Sequence, residues 1–140
     1  MNTPLYTTEI LRLAASLGEP AILDRVDGIG DERAPTCGSR VVTRVQRNLD
    51  GTISAVVQDV QACAFGQAAA ALVARHAPGH SAADVEIALA DVAAWLAGEQ
   101  DDPGNWPGFA ALAPARSRRS RHPAILLPFR SLLAALRAVQ

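Results

Sequence analysis

Gln61-Ala62-Cys63-Ala64-Phe65-Gly66-Gln67 decides how this chain folds, because two kinds of secondary structure meet there. Upstream, Ile53 to Val60 is rich in β-branched residues and reads as a strand. Downstream, the small-residue run Ala68-Ala69-Ala70-Ala71 belongs to a helix read from Ala64 to His76, closed by Ala77-Pro78-Gly79. Cys63, one of only two cysteines, stands at the junction. A thiol at a helix N-terminus faces the positive end of the helix dipole, which suits the thiolate that binds metal or attacks sulfur. The competing reading is a small buried cysteine packed under the helix.

Moving upstream, Arg40 to Arg47 is a second β-branched run, and Asn48-Leu49-Asp50-Gly51 is a turn signal before the strand Thr52 to Gln61. The two runs form an antiparallel hairpin. Cys37 lies just before its first strand and Cys63 just after its second. The outer ends of a hairpin lie side by side, so the spacing brings both thiols to one end of a small sheet. Further upstream, Glu19 to Thr36 is rich in Gly, Pro and Asp and reads as a long loop with room for one short edge strand. Before it, apolar residues at 6, 10, 13, 14 and 17 have helical spacing and stop at Gly18.

Downstream of the junction, Ser81 is the expected N-cap of a helix over Ala82 to Ala97, with Asp84 in its first turn and Gly98 after its end. Glu99 to Asn105 is a polar loop, and Trp106 to Ala113 a short helix. Pro114 to Pro123 reads as extended or loose, and Ala124 to Val139 as a final helix with Pro128 near its start. Trp95 and Trp106 are expected core anchors; His76 and His80 are expected at the surface. No internal repeat or second domain is visible, so residues 1–140 make one α+β domain: a small antiparallel sheet of about three strands packed against several helices.

Composition narrows the function classes. The 140 residues are 49% apolar but only 4% aromatic, so the core is built mostly from Ala, Leu and Val. No run approaches a membrane span, the start lacks the pattern of a signal peptide, and two cysteines make no disulfide framework. A cytoplasmic protein is expected. All 13 basic residues are arginine. The last 38 residues carry 6 of them and no acid, while the first 102 carry 7 and all 14 acids, so the net −1 divides into +6 and −7. The arginine tail has the composition of a nucleic-acid patch but no interleaved aromatics, and docking on an acidic protein fits it better. No phosphate loop, Ser-His-Asp order or paired catalytic carboxylates stand out, and no enzymatic activity is expected.

Pro35-Thr36-Cys37-Gly38, then a hairpin, then Cys63 opening a small-residue helix, resembles the NifU N-terminal domain family of IscU/SufU-type iron–sulfur cluster scaffolds, with a SufE/NifU-like fold. Gly79-His80-Ser81 stands in a turn that the family also has, and Arg121-His122-Pro123-Ala124-Ile125-Leu126-Leu127-Pro128-Phe129 is similar to its third cysteine segment. The resemblance spans residues 5–139. It implies an iron–sulfur cluster or iron held through Cys37 and Cys63, with zinc as a possible metal. It also implies a cysteine desulfurase or other sulfur donor and apo iron–sulfur acceptors as partners. Two positions depart from the pattern: Ser39 stands where the family has an acid, and Ala124 where it has the third cysteine. His122 is the candidate for the vacant ligand place, since imidazole serves zinc or iron. A site wanting four donors is otherwise short, unless water, a partner or a second subunit completes it. The alternative is a degenerate member without a cluster, acting as an interaction or regulatory protein or binding a single zinc.

Overall fold

A computed structural model describes residues 5–138. Helix α1 (Thr8–Ser16) is followed by strands β1 (Gly28–Ala34), β2 (Ser39–Arg47) and β3 (Ile53–Gln61), then by helices α2 (Ala64–His76) and α3 (Ala82–Leu96). Two 3₁₀ segments, Phe109–Ser117 and Arg119–Arg121, lead into helix α4 (His122–Arg137). The strands form one antiparallel sheet in the order β1-β2-β3. Arg40 lies opposite Gln61 and Val45 opposite Val56, with an irregularity between Gln46 and Arg47.

The expected edge strand is a full partner of seven residues, pairing Gly28 with Val45 through to Ala34 with Ser39. Gly28 and Gly30 weaken the strand signal because they serve packing instead. A Cβ on Gly30 would run into the carbonyl of Ser131, and one on Gly28 into that of Ala135. Helix α4 therefore lies against the β1 backbone at a separation only glycine permits.

Helix α4 is the central element, and Ile125, Phe129 and Leu132 along it are fully buried. One side faces the sheet, where a buried hydrogen-bond chain fixes its position. The Gln58 amide donates to Thr43 Oγ1 at 3.0 Å and to the Pro128 carbonyl at 3.0 Å. Thr43 donates to Ser131 Oγ at 2.7 Å, and the Ser131 hydroxyl lies 3.0 and 2.9 Å from the carbonyls of Gly30 and Val41. Pro128 sits inside α4 and has no N–H for the carbonyl four residues earlier, that of Ala124.

The other helices close the core around α4. Both tryptophans are buried, as expected, and Trp106 Nε1 donates to the Leu72 carbonyl at 3.1 Å while its ring meets Phe129 edge-on. Ser81 and Asp84 form a reciprocal capping box at the start of α3. Thr7 caps α1, where Ile10 is buried, and Tyr6 packs on Phe65. Residues 114–121, read as loose, are wound into 3₁₀ turns. Tertiary contacts impose this: Leu112 and Ala115 are fully buried, and Arg116 stacks on Trp95 while donating to the Trp95 and Gln100 carbonyls. The final helix begins at His122 rather than Ala124, since Pro123 is tolerated in a first turn; its expected end at Val139 lies outside the described residues. No helix among the described residues is long and apolar enough to cross a membrane.

Candidate functional site

Three chain segments meet at the end of the sheet distal to the Asn48–Gly51 turn. The first is the β1–β2 turn, where the amides of Cys37 and Gly38 both donate to the Ala34 carbonyl and Gly38 takes φ +73°. That left-handed conformation is open to glycine at little cost, so Gly38 is a local requirement of the turn that presents Cys37. Arg40 grips Asp31 across the same pair of strands through two hydrogen bonds, at 2.9 and 2.6 Å. This pairing holds the Asp31 carboxyl below the usual carboxylate range and fixes the strands that carry Cys37.

The second segment is the β3–α2 junction. Cys63 is the N-cap of α2, in extended backbone, and its side chain makes no capping hydrogen bond. Gln67 supplies the local order instead, its side-chain amide donating to the Ala62 carbonyl at 3.0 Å. The thiol is left free at the positive end of the helix. The third segment is the start of α4. Ala124, 2% exposed, packs over Gly66 of α2 so closely that a Cβ on Gly66 would lie 3.3 Å from that of Ala124.

Together these segments line a cleft of about 300 Å³ in which Cys37, Cys63, Ser39 and Ala124 share the walls with Ser120 and Arg121. The hairpin spacing brings the two thiols to one cleft, as the sequence implies, and Ala124 faces it with them. Ser39 is 5% exposed, and its hydroxyl lies 3.2 Å from the Cys37 sulfur, so this buried side chain is partnered by the thiol. A small apolar pair-up of Ala34, Val41 and Leu127 beneath this end ties the sheet to α4.

His122 takes a different place. It opens α4, but its Nε2 is 2.8 Å from the Ala115 carbonyl, which only accepts, so Nε2 carries the proton and is committed there. His122 is not among the residues lining the cleft. The imidazole expected to fill the vacant ligand place is thus not brought to the thiols. Among the described residues no three His, Cys, Asp or Glu side chains converge as a metal site. The cleft offers two thiols, with the hydroxyls of Ser39 and Ser120 beside them and no carboxylate or imidazole; the thiols are half of what a four-donor zinc or [2Fe–2S] site needs from protein.

The sequence marks the arginine-rich stretch as a docking surface. Its 3₁₀ winding carries Ser120 and Arg121 into the cleft wall, and the walls contain no carboxylate. The only signal was the acid-free tail. His80, near the other end of α2, stacks on Trp106 at 4.8 Å and lies 3.2 Å from Asp84. Its role is therefore structural, in the turn before α3.

No protein-family model matches the chain, and no curated protein matches it in sequence. Solved structures do. A nitrogen-fixing NifU-like protein (N-terminal) from Brucella abortus aligns at 26% identity with TM-score 0.80, over 95% of this chain and 92% of that one. A protein assigned as the iron–sulfur cluster assembly scaffold of the SUF system in Fervidobacterium islandicum AW-1 aligns at 16% identity and TM-score 0.84, over 95% and 97%. A hypothetical protein aligns at 20% identity and TM-score 0.68, over 93% and 97%. The chain has the NifU/SufU-type fold, α+β with a three-stranded antiparallel sheet.

Proposed function

We propose that this NifU/SufU-fold chain is a non-enzymatic, scaffold-like protein of iron–sulfur cluster assembly, receiving iron or a [2Fe–2S] cluster as cargo on Cys37 and Cys63. The observation that carries this is the convergence of two free thiols from separate segments in one cleft, with Ala124 beside them. The similarity to structures bearing the NifU-like and SUF-scaffold names supports it. In this reading a sulfur donor such as a cysteine desulfurase loads the cleft, and apo iron–sulfur proteins empty it. Two protein donors hold cargo weakly, so the remaining coordination comes from water or a partner. Zinc, which also takes thiolates, competes for the same pair.

The shortage of donors favours a second reading, in which the fold survives as an interaction protein of the assembly machinery with no cluster of its own. Anaerobic addition of ferrous iron and sulfide to the full chain separates the two. Under the first reading it yields a visible absorption band that disappears in Cys37→Ser and in Cys63→Ser. Iron and sulfide contents near zero after desalting would sink that reading and leave the second. Ala124→Cys adds a third thiol at the wall of the same cleft and should tighten iron retention by at least about tenfold, roughly 1.4 kcal/mol.

A further inference from the structure

The cleft wall has no carboxylate, and one side of it is cationic. Ser120 and Arg121 belong to the wall, Arg119 is exposed on the same 3₁₀ turn, and Arg118 is exposed just before it. Other arginines of the acid-free tail are engaged: Arg116 is held by the Trp95 and Gln100 carbonyls, and Arg137 pairs with Glu86. Among the described residues, none of Arg118, Arg119 and Arg121 makes an ion pair. The three arginines fall within four consecutive positions, and the cleft wall holds no carboxylate to pair with them. Guanidinium matches carboxylate in shape, with two parallel hydrogen bonds per pair.

We propose that Arg118, Arg119 and Arg121 are the docking seat for an acidic segment of a partner protein, whose carboxylates span the rim and reach the vacant side of the Cys37–Cys63 cleft. The partner would thereby contribute the carboxylate oxygens that the cleft wall lacks. This deepens the scaffold reading by naming the chemistry of the partner that completes its cleft. Charge complementarity decides the class of occupant, and the lack of aromatic side chains among the rim arginines argues against single-stranded nucleic acid, which stacks its bases.

The test uses the full metal-free chain and a fluorescein-labelled octapeptide of glutamate and glycine, followed by anisotropy at low ionic strength. The peptide should bind, and the triple variant Arg118→Glu, Arg119→Glu, Arg121→Glu should weaken binding at least about tenfold, as should about 0.5 M salt. Arg119→Glu alone should weaken it measurably, and Arg130→Glu, an exposed arginine of α4, should change it less than about twofold. Bound peptide should also slow alkylation of Cys63 by iodoacetamide, read by mass spectrometry. Unchanged binding by the triple variant overturns the proposal, as does peptide that binds without shielding Cys63. An oligothymidylate of equal length binding more tightly through the same arginines overturns it in favour of nucleic acid. Failure of iron loading with peptide binding intact would remove the scaffold reading and leave the acidic seat standing.

Discussion

The chain Gln58–Thr43–Ser131 offers a direct measure of how firmly α4 is registered on the sheet. Ser131 is fully buried and accepts from Thr43 at 2.7 Å, while its own proton is directed at the carbonyls of Gly30 and Val41. Ser131→Ala removes that acceptor and leaves the buried Thr43 O–H with no acceptor, while Thr43 Oγ1 still accepts from Gln58. A lost hydrogen bond plus one stranded buried group costs about 2 kcal/mol. Thr43→Val also severs the link, and it takes from the Gln58 amide one of two acceptors, the Pro128 carbonyl remaining. That change costs about 2 kcal/mol by the same reasoning. The double variant leaves neither hydroxyl stranded, so its cost should be about 2.5 kcal/mol rather than 4, a coupling of about 1.5 kcal/mol. Urea unfolding followed by fluorescence of the buried Trp95 and Trp106 measures all three, with the slope unchanged if the unfolding remains two-state. Costs that add to within about 0.5 kcal/mol would refute the linked chain and leave three independent polar contacts.

Two further outcomes follow from the same structure. Gly30→Ala should destabilise the protein by about 3 kcal/mol in urea, because its Cβ meets the Ser131 backbone rather than a side chain that could turn away; a loss below about 1 kcal/mol, the β-strand propensity scale alone, would mean α4 shifts freely. The carboxyl of Asp84 is held below its usual value of 3.8, first by the Ser81 backbone amide and next by His80. Its folded value thus lies below its unfolded one, so its contribution is present above the unfolded pKa and is lost as pH falls through the folded pKa. The urea midpoint of the wild type should fall across that acid range more steeply than that of Asp84→Asn, and parallel curves would contradict the assignment.

Most of the frame is legible in the sequence because local signals and tertiary demands agree there. Asn48 to Gly51 marks the hairpin turn, with Gly51 at φ +89°, and Ser81 with Asp84 marks the α3 cap. Strand β1 was obscured where they disagree. Gly28 and Gly30 suit the approach of α4, and Asp31 and Glu32 suit an open sheet edge, so neither advertises a strand. The 3₁₀ winding of residues 114–121 was hidden for a related reason, since buried Ala115 and the Arg116 contacts with Trp95 impose it from outside. The site divides similarly. Hairpin geometry is enough to unite Cys37 and Cys63, whereas the position of Ala124 beside them is what the family resemblance implies. Neither the diversion of His122 to the Ala115 carbonyl nor the entry of Arg121 into the wall has a local signal, because both depend on how that irregular segment winds.

Pro128 gives α4 a mechanical division. The carbonyl it leaves without a helical donor belongs to Ala124, the residue that packs on Gly66 at the cleft. From Pro128 onward the helix is bolted to the sheet through Gln58 and Ser131. The six residues before it, His122 to Leu127, are joined to that bolted part by a ladder with a missing rung. Within them Ile125 and Leu127 are held in the core, and Ala124 is the position on the cleft wall. The opening turn of α4 is therefore the natural place to refit this cleft with new donors.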